Sequence, residues 1–115
     1  MASYFIDDFL FITPFGHEPG IRLFGQVSGA HRAPLTLALL SCRTDHEDVT
    51  IDLTGVHHIS QSALETLVGV SRSLYPPLRL ILRARPELEL YGRLAARGWH
   101  EMEGLHLSEV LWSPP

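Results

Sequence analysis

At 115 residues the chain can bury one hydrophobic core and is too short for two, and its 45% hydrophobic and 19% charged residues exclude disorder and fibrous assembly. A formal charge of −4, with nine arginines and no lysine, gives no basic field able to hold a phosphate backbone, so nucleic acid is not expected as a partner. Cys42 is the only cysteine, which permits no internal disulfide and suits a reducing compartment. Asp7 and Asp8 stand where a signal peptide needs positive charge, and no apolar run approaches membrane-spanning length. A single cytoplasmic domain over 1–115, with no membrane insertion, is the expectation.

In chain order, Phe9 to Thr13 is a β-rich run, and after Pro14, Gly16, Pro19 and Gly20 a second run follows from Ile21 to Val27. Together they read as an antiparallel hairpin. His31 to Arg43 reads as a helix, with Pro34 in its first turn and Leu35, Ala38, Leu39 and Cys42 along one stripe. Cys42 then acts as a small core hydrophobe. Thr44 to Asp48 is a polar loop.

The segment Val49 to Leu74 changes period in its middle. Val49, Ile51 and Leu53 alternate with Thr50, Asp52 and Thr54 as in a strand, whereas Leu64, Leu67, Val68, Ser71 and Leu74 recur at helical spacing. Ser60 to Ser62 therefore mark the joint between strand and helix, where backbone N–H groups lack partners. Tyr75-Pro76-Pro77 stops that helix, and Leu78 to Ala84 alternates as a further strand. From Pro86 a continuous helix is expected to Arg97, with Glu87 and Glu89 near its start, Arg93 and Arg97 near its end and Gly98 past it. Leu105 to Leu107 reads as an edge strand and Trp112 to Pro115 as a tail.

The run Ile51-Asp52-Leu53-Thr54-Gly55-Val56, followed by Ser60-Gln61-Ser62-Ala63-Leu64, resembles the signature of STAS domains, small regulators named after sulfate transporters and anti-sigma factor antagonists. In that family a strand of the type hydrophobic-D-L-S-G-V leads through a short turn into D-S-S-G-L and a helix. Ser60 replaces the family's aspartate, Gln61 its first serine and Ala63 its glycine, while Ser62 and Leu64 agree. Gly25-Gln26-Val27-Ser28 is similar to the G-E-L-D that ends the preceding strand, with Ser28 replacing the aspartate.

The resemblance spans about Phe9 to Leu107. It implies an α/β fold with a mixed sheet of four to five strands and helices packed mainly on one face. It further implies a non-enzymatic regulator without a cofactor, similar to an anti-sigma factor antagonist. Its partner would be an anti-sigma factor, usually a serine kinase, bound through Ser28, His57, His58, Ser60, Gln61, Ser62 and Glu65. Ser62 aligns with the serine that such kinases phosphorylate. The alternative is a STAS subunit without a phospho-switch, such as the soluble accessory subunit of a lipid-transport ABC ATPase. A homodimer is compatible with either.

Read from the residues alone, Ser62 and Glu65 form the S-x-x-E pattern of a capping box, although Ser60 is equally placed to be the cap. His57-His58 is the densest histidine cluster, but adjacent residues of an extended segment point to opposite faces and no H-x-x-x-H pair exists, so no metal site is expected. A hydrolase built from Ser62, His58 and Asp52 would lack a nucleophile elbow. Arg79, Arg83 and Arg85 alternate on one strand face without interleaved aromatics and read as a solvated face or as ion-pair partners.

Overall fold

Alternating apolar residues give each long strand one face that must be hidden, and the topology hides all of these faces on one side. The computed structural model describes residues 4–110. The Trp112–Pro115 tail lies outside them. The elements are β1 (Phe5–Ile6), β2 (Leu10–Pro14), β3 (Gly20–Val27), α1 (Arg32–Cys42), β4 (Val49–Ile59), α2 (Gln61–Arg72), β5 (Leu80–Ala84), α3 (Leu90–Ala95) and β6 (Leu105–Glu109). One mixed sheet carries the strands in their sequence order, β1 to β6. The pairings β1–β2 and β2–β3 are antiparallel, and those from β3 to β6 are parallel.

Each parallel step is a crossover through one helix, and all three steps advance in the same direction. With the right-handed crossovers that parallel strands adopt, α1, α2 and α3 fall on the same side of the sheet. Leu35, Ala38 and Leu39 of α1, Leu64, Leu67 and Val68 of α2, and Leu90 and Leu94 of α3 join Ile12, Leu23, Ile51, Leu53 and Leu82 of the strands in one buried cluster. Among the described residues no helix covers the opposite side. It carries Phe11 stacked on Phe24 at 5.9 Å, Arg22 over the Phe15 ring at 4.9 Å, and the half-buried Asp52 beside the exposed Arg83. Among the described residues no helix is long and apolar enough to cross a membrane.

The mixed α/β architecture agrees with expectation, but the sheet has six strands where four to five were expected. The additional strand, β1, is two residues long and carries no periodicity of its own. It forms because Asp7 Oδ1 accepts the N–H groups of Phe9 (2.8 Å) and Leu10 (2.7 Å), closing a turn that lays Phe5 and Ile6 against Ile12 and Phe11. Strand β4 also runs three residues past Val56, so His57 and His58 lie in a strand and not in a loop.

Two irregularities in the β3–β4 ladder explain that extension. Between the pairs Arg22–Asp52 and Phe24–Gly55, and again between Gly25–Val56 and Gln26–His58, β4 carries one residue more than β3. Each bulge shifts the side-chain phase by one. Leu53, Val56 and Ile59, three residues apart, thus all point into the core.

The helix expected from Pro86 to Arg97 is broken. Pro86–Leu88 is a 3-10 turn, Glu89 adopts left-handed backbone angles (φ 54°, ψ 36°), and α3 begins at Leu90. In an unbroken helix Leu88 and Leu90 would point about 200° apart. The break at Glu89 lets both meet the core. Gly98, at φ 74°, reverses the chain where a stop was expected.

Gly25 is the tightest backbone approach in the sheet. It has φ 107°, and a Cβ there would overlap the Phe9 carbonyl oxygen. That carbonyl accepts the Gln26 N–H at 2.8 Å. Gly25→Ala is therefore expected to cost about 2 kcal/mol or more of unfolding free energy, measured by urea denaturation.

Candidate functional site

Strands β3 and β4 end side by side, with Val27 in register with Ile59, and each feeds a helix start. Ser28 and Ser60 are therefore neighbouring joints, linked by the Ser60 N–H donating to the Val27 carbonyl at 2.8 Å. Ser60 is the cap of α2, its Oγ accepting the Ala63 N–H at 3.1 Å. The S-x-x-E reading of Ser62 and Glu65 is thus corrected. The residue at the third helical position, whose N–H the cap serves, is Ala63, and Glu65 lies too far along the helix to reach back.

Ser62 occupies the second helical position with its side chain exposed. Its Oγ lies 3.3 Å from Ser60 Oγ and faces the Gly29 backbone, where a Cβ would come within 2.6 Å of it. Only a residue without a side chain leaves that hydroxyl its place. From this point a groove of about 580 Å³ runs between α1 and α2, with Arg32, Thr36 and Leu40 on one side and Glu65, Thr66 and Val70 on the other. A Cβ on Gly69 would meet nothing within 4 Å, so the groove is open along α2.

The α3 segment braces the outer side of α2. Arg93 donates to Gln61 Oε1 at 3.5 Å, and Arg97 pairs with Glu65 at 3.2 Å while lying 5.2 Å from the Trp99 ring. Both pairs bridge half-exposed or exposed side chains, so they set side-chain direction more than stability.

The inner end is braced by a residue that sequence reasoning used only as a helix start. His31 is 3% exposed. Its Nδ1 accepts the Ser28 N–H at 3.0 Å, and its Nε2–H donates to Asp7 Oδ2 at 2.9 Å. This fixes the neutral tautomer. Ser28 Oγ meanwhile accepts the Ala30 N–H at 3.3 Å, closing a capping box in which imidazole takes the part of the usual carboxylate. The signal was the S-x-x-H spacing of Ser28 and His31. Backbone N–H groups of Phe9 and Leu10, and then His31, hold the Asp7 carboxyl below its ordinary pKa.

Of the residues expected at a partner surface, the fold brings Ser62 and Glu65 to the groove, while the cap Ser60 stands behind Ser62 and Gln61 turns to Arg93, neither lining it. Ser28 turns its hydroxyl into its own turn and offers Gly29 to Ser62. His57 and His58 are exposed on β4, with His58 beside Gln26, and do not line the groove. Among the described residues no three His, Cys, Asp or Glu side chains gather as metal ligands. Asp52 Oδ1 is taken by the Thr54 N–H (2.9 Å) and hydroxyl (2.6 Å) on the uncovered sheet face, away from Ser62. Cys42 is half-buried against the core, and burial raises its thiol pKa.

No family model matches the chain, and no curated protein matches it.

Two outcomes follow from this geometry. Ser60→Ala should lower stability by about 1 kcal/mol in thermal or urea melts, whereas Ser62→Ala should change it by less than about 0.5 kcal/mol. Asp7 titrates lower in the folded chain than its ordinary 3.8. Its contribution is therefore full above that value and lost as pH falls through the folded pKa. Melting temperature followed into acid should drop less steeply for Asp7→Asn than for the parent.

Proposed function

We propose that this chain is a regulatory protein-interaction module of the STAS type, similar to anti-sigma factor antagonists, that takes a partner protein into the α1–α2 groove. The partner is an anti-sigma factor with serine kinase activity, and phosphate on Ser62 dissociates the complex. The observation that carries this reading is the exposed Ser62 hydroxyl at the head of the groove, relieved of capping by Ser60. The STAS-like run Ile51 to Leu64 supports it. A phosphate at this second helical position gains from the helix dipole, so the helix would not melt. Ser62 Oγ lies against Gly29 at the groove mouth, so a phosphate there adds bulk and up to two negative charges beside Glu65. The partner is then lost through shape and charge at the groove mouth.

Ser60, Gln61 and Ala63, which replace the family's aspartate, serine and glycine, favour a second reading, an accessory subunit that uses the same groove without a phospho-switch. Incubation with ATP and a kinase-type anti-sigma protein from the same genome separates the two. The first reading expects one phosphate by intact mass, mapped to Ser62, and at least tenfold weaker binding by Ser62→Asp, about 1.4 kcal/mol, with unchanged melting. No phosphate together with undiminished Ser62→Asp binding would leave the accessory-subunit reading.

A further inference from the structure

The uncovered face of the sheet carries a charge pattern that its own residues leave unsatisfied. In the in-register row Thr13, Arg22, Asp52, Arg83 and Ser108, one residue from each of β2 to β6, a carboxylate stands between two guanidiniums on adjacent strands. Arg22 lies over the Phe15 ring. Asp52 uses only Oδ1, toward Thr54, and among the described residues neither Asp52 Oδ2 nor the Arg83 guanidinium has a hydrogen-bond or ion-pair partner. Neighbouring strands lie about 4.8 Å apart, yet the two groups do not close on each other.

We infer that this face docks a second copy of the chain in a two-fold, face-to-face dimer held by reciprocal Asp52–Arg83 pairs. An acidic site next to a basic site on one surface becomes self-complementary under a two-fold axis lying along the strands midway between β4 and β5. Asp52 of each copy then lies over Arg83 of the other, which is the isologous pairing that a symmetric dimer requires. The same operation sets Thr50 over Ile81 of the second copy and brings Phe24, 43% exposed, against its β6. Strands β3 to β6 offer a face of about 19 Å by 17 Å, roughly 650 Å² over both copies and below the ~1,200 Å² of stable complexes, so the dimer is weak and transient. The α1–α2 groove lies on the other side of the sheet and stays open, so this dimer does not depend on the function proposed above.

Sedimentation velocity across a concentration series tests it. The parent should shift from monomer toward dimer near 100 µM. Asp52→Arg and Arg83→Glu should each remain monomeric at that concentration, at least tenfold weaker, because each meets a like charge in a second copy of itself. Mixed one to one, these two variants should dimerise again. The arginine introduced in one then faces the glutamate introduced in the other, and the native Arg83 of the first faces the native Asp52 of the second. Asp52→Asn, which keeps the acceptor for Thr54, provides a variant whose folding is not in question, and it too should weaken the dimer. A parent that stays monomeric to about 1 mM, or single variants that dimerise as the parent does, would overturn the inference.

Discussion

The structure depends first on the parallel pairing of β3 with β4 and on the two residues by which β4 outruns its neighbour. A strict period of two would send Val56 and then Ile59 to opposite faces, leaving one of them in solvent and misdirecting the chain that follows. The bulges spend one residue each to keep Leu53, Val56 and Ile59 on the helix side. What they deliver is an orientation. Ser60 arrives beside Val27 with its hydroxyl over the first turn of α2, and Ser62, two residues on, faces the groove.

That arrangement divides tasks between two serines two residues apart. Ser60 answers the backbone and Ser62 answers the surface. The opposite wall is held just as firmly, because a buried imidazole ties the Ser28 turn to a carboxylate 24 residues earlier. Gly29 is thereby presented to Ser62 by a turn whose backbone and side-chain polar groups are hydrogen-bonded. The head of the groove is thus braced on the α1 side by His31 and Asp7 and on the α2 side by Arg93 and Arg97.

Much of this was legible in the sequence where a period or a stop signal ran long enough. β3, the first half of β4, α2 and β5 follow from alternation and helical spacing, and Gly98 marks a true reversal. Three features were not legible, each because a tertiary requirement overrode a local one. β1 is too short to show a pattern and owes its existence to Asp7. The segment from Pro86 has good caps and charges for one helix, but burying both Leu88 and Leu90 forces the left-handed break at Glu89. At the site, the S-x-x-E motif was sound chemistry in the wrong register. β4 reaches Ile59, so the first residue free to cap is Ser60, and Ser62 is carried into the helix.

The strand order bears on how the molecule comes into being. Because every strand lies beside the one before it, no element has to wait for a distant stretch of sequence to be synthesised before it finds its neighbour. As the chain leaves the ribosome, the hairpin comes first and each strand–helix unit then adds to a sheet edge already formed. Each parallel pair still joins residues well apart in sequence, Gly20 with Thr50 and Val49 with Leu80, so every such step waits on the helix that bridges it. Among the described strands the open edge therefore moves one step at a time from β3 to β6, and each new strand–helix unit meets a single growing front.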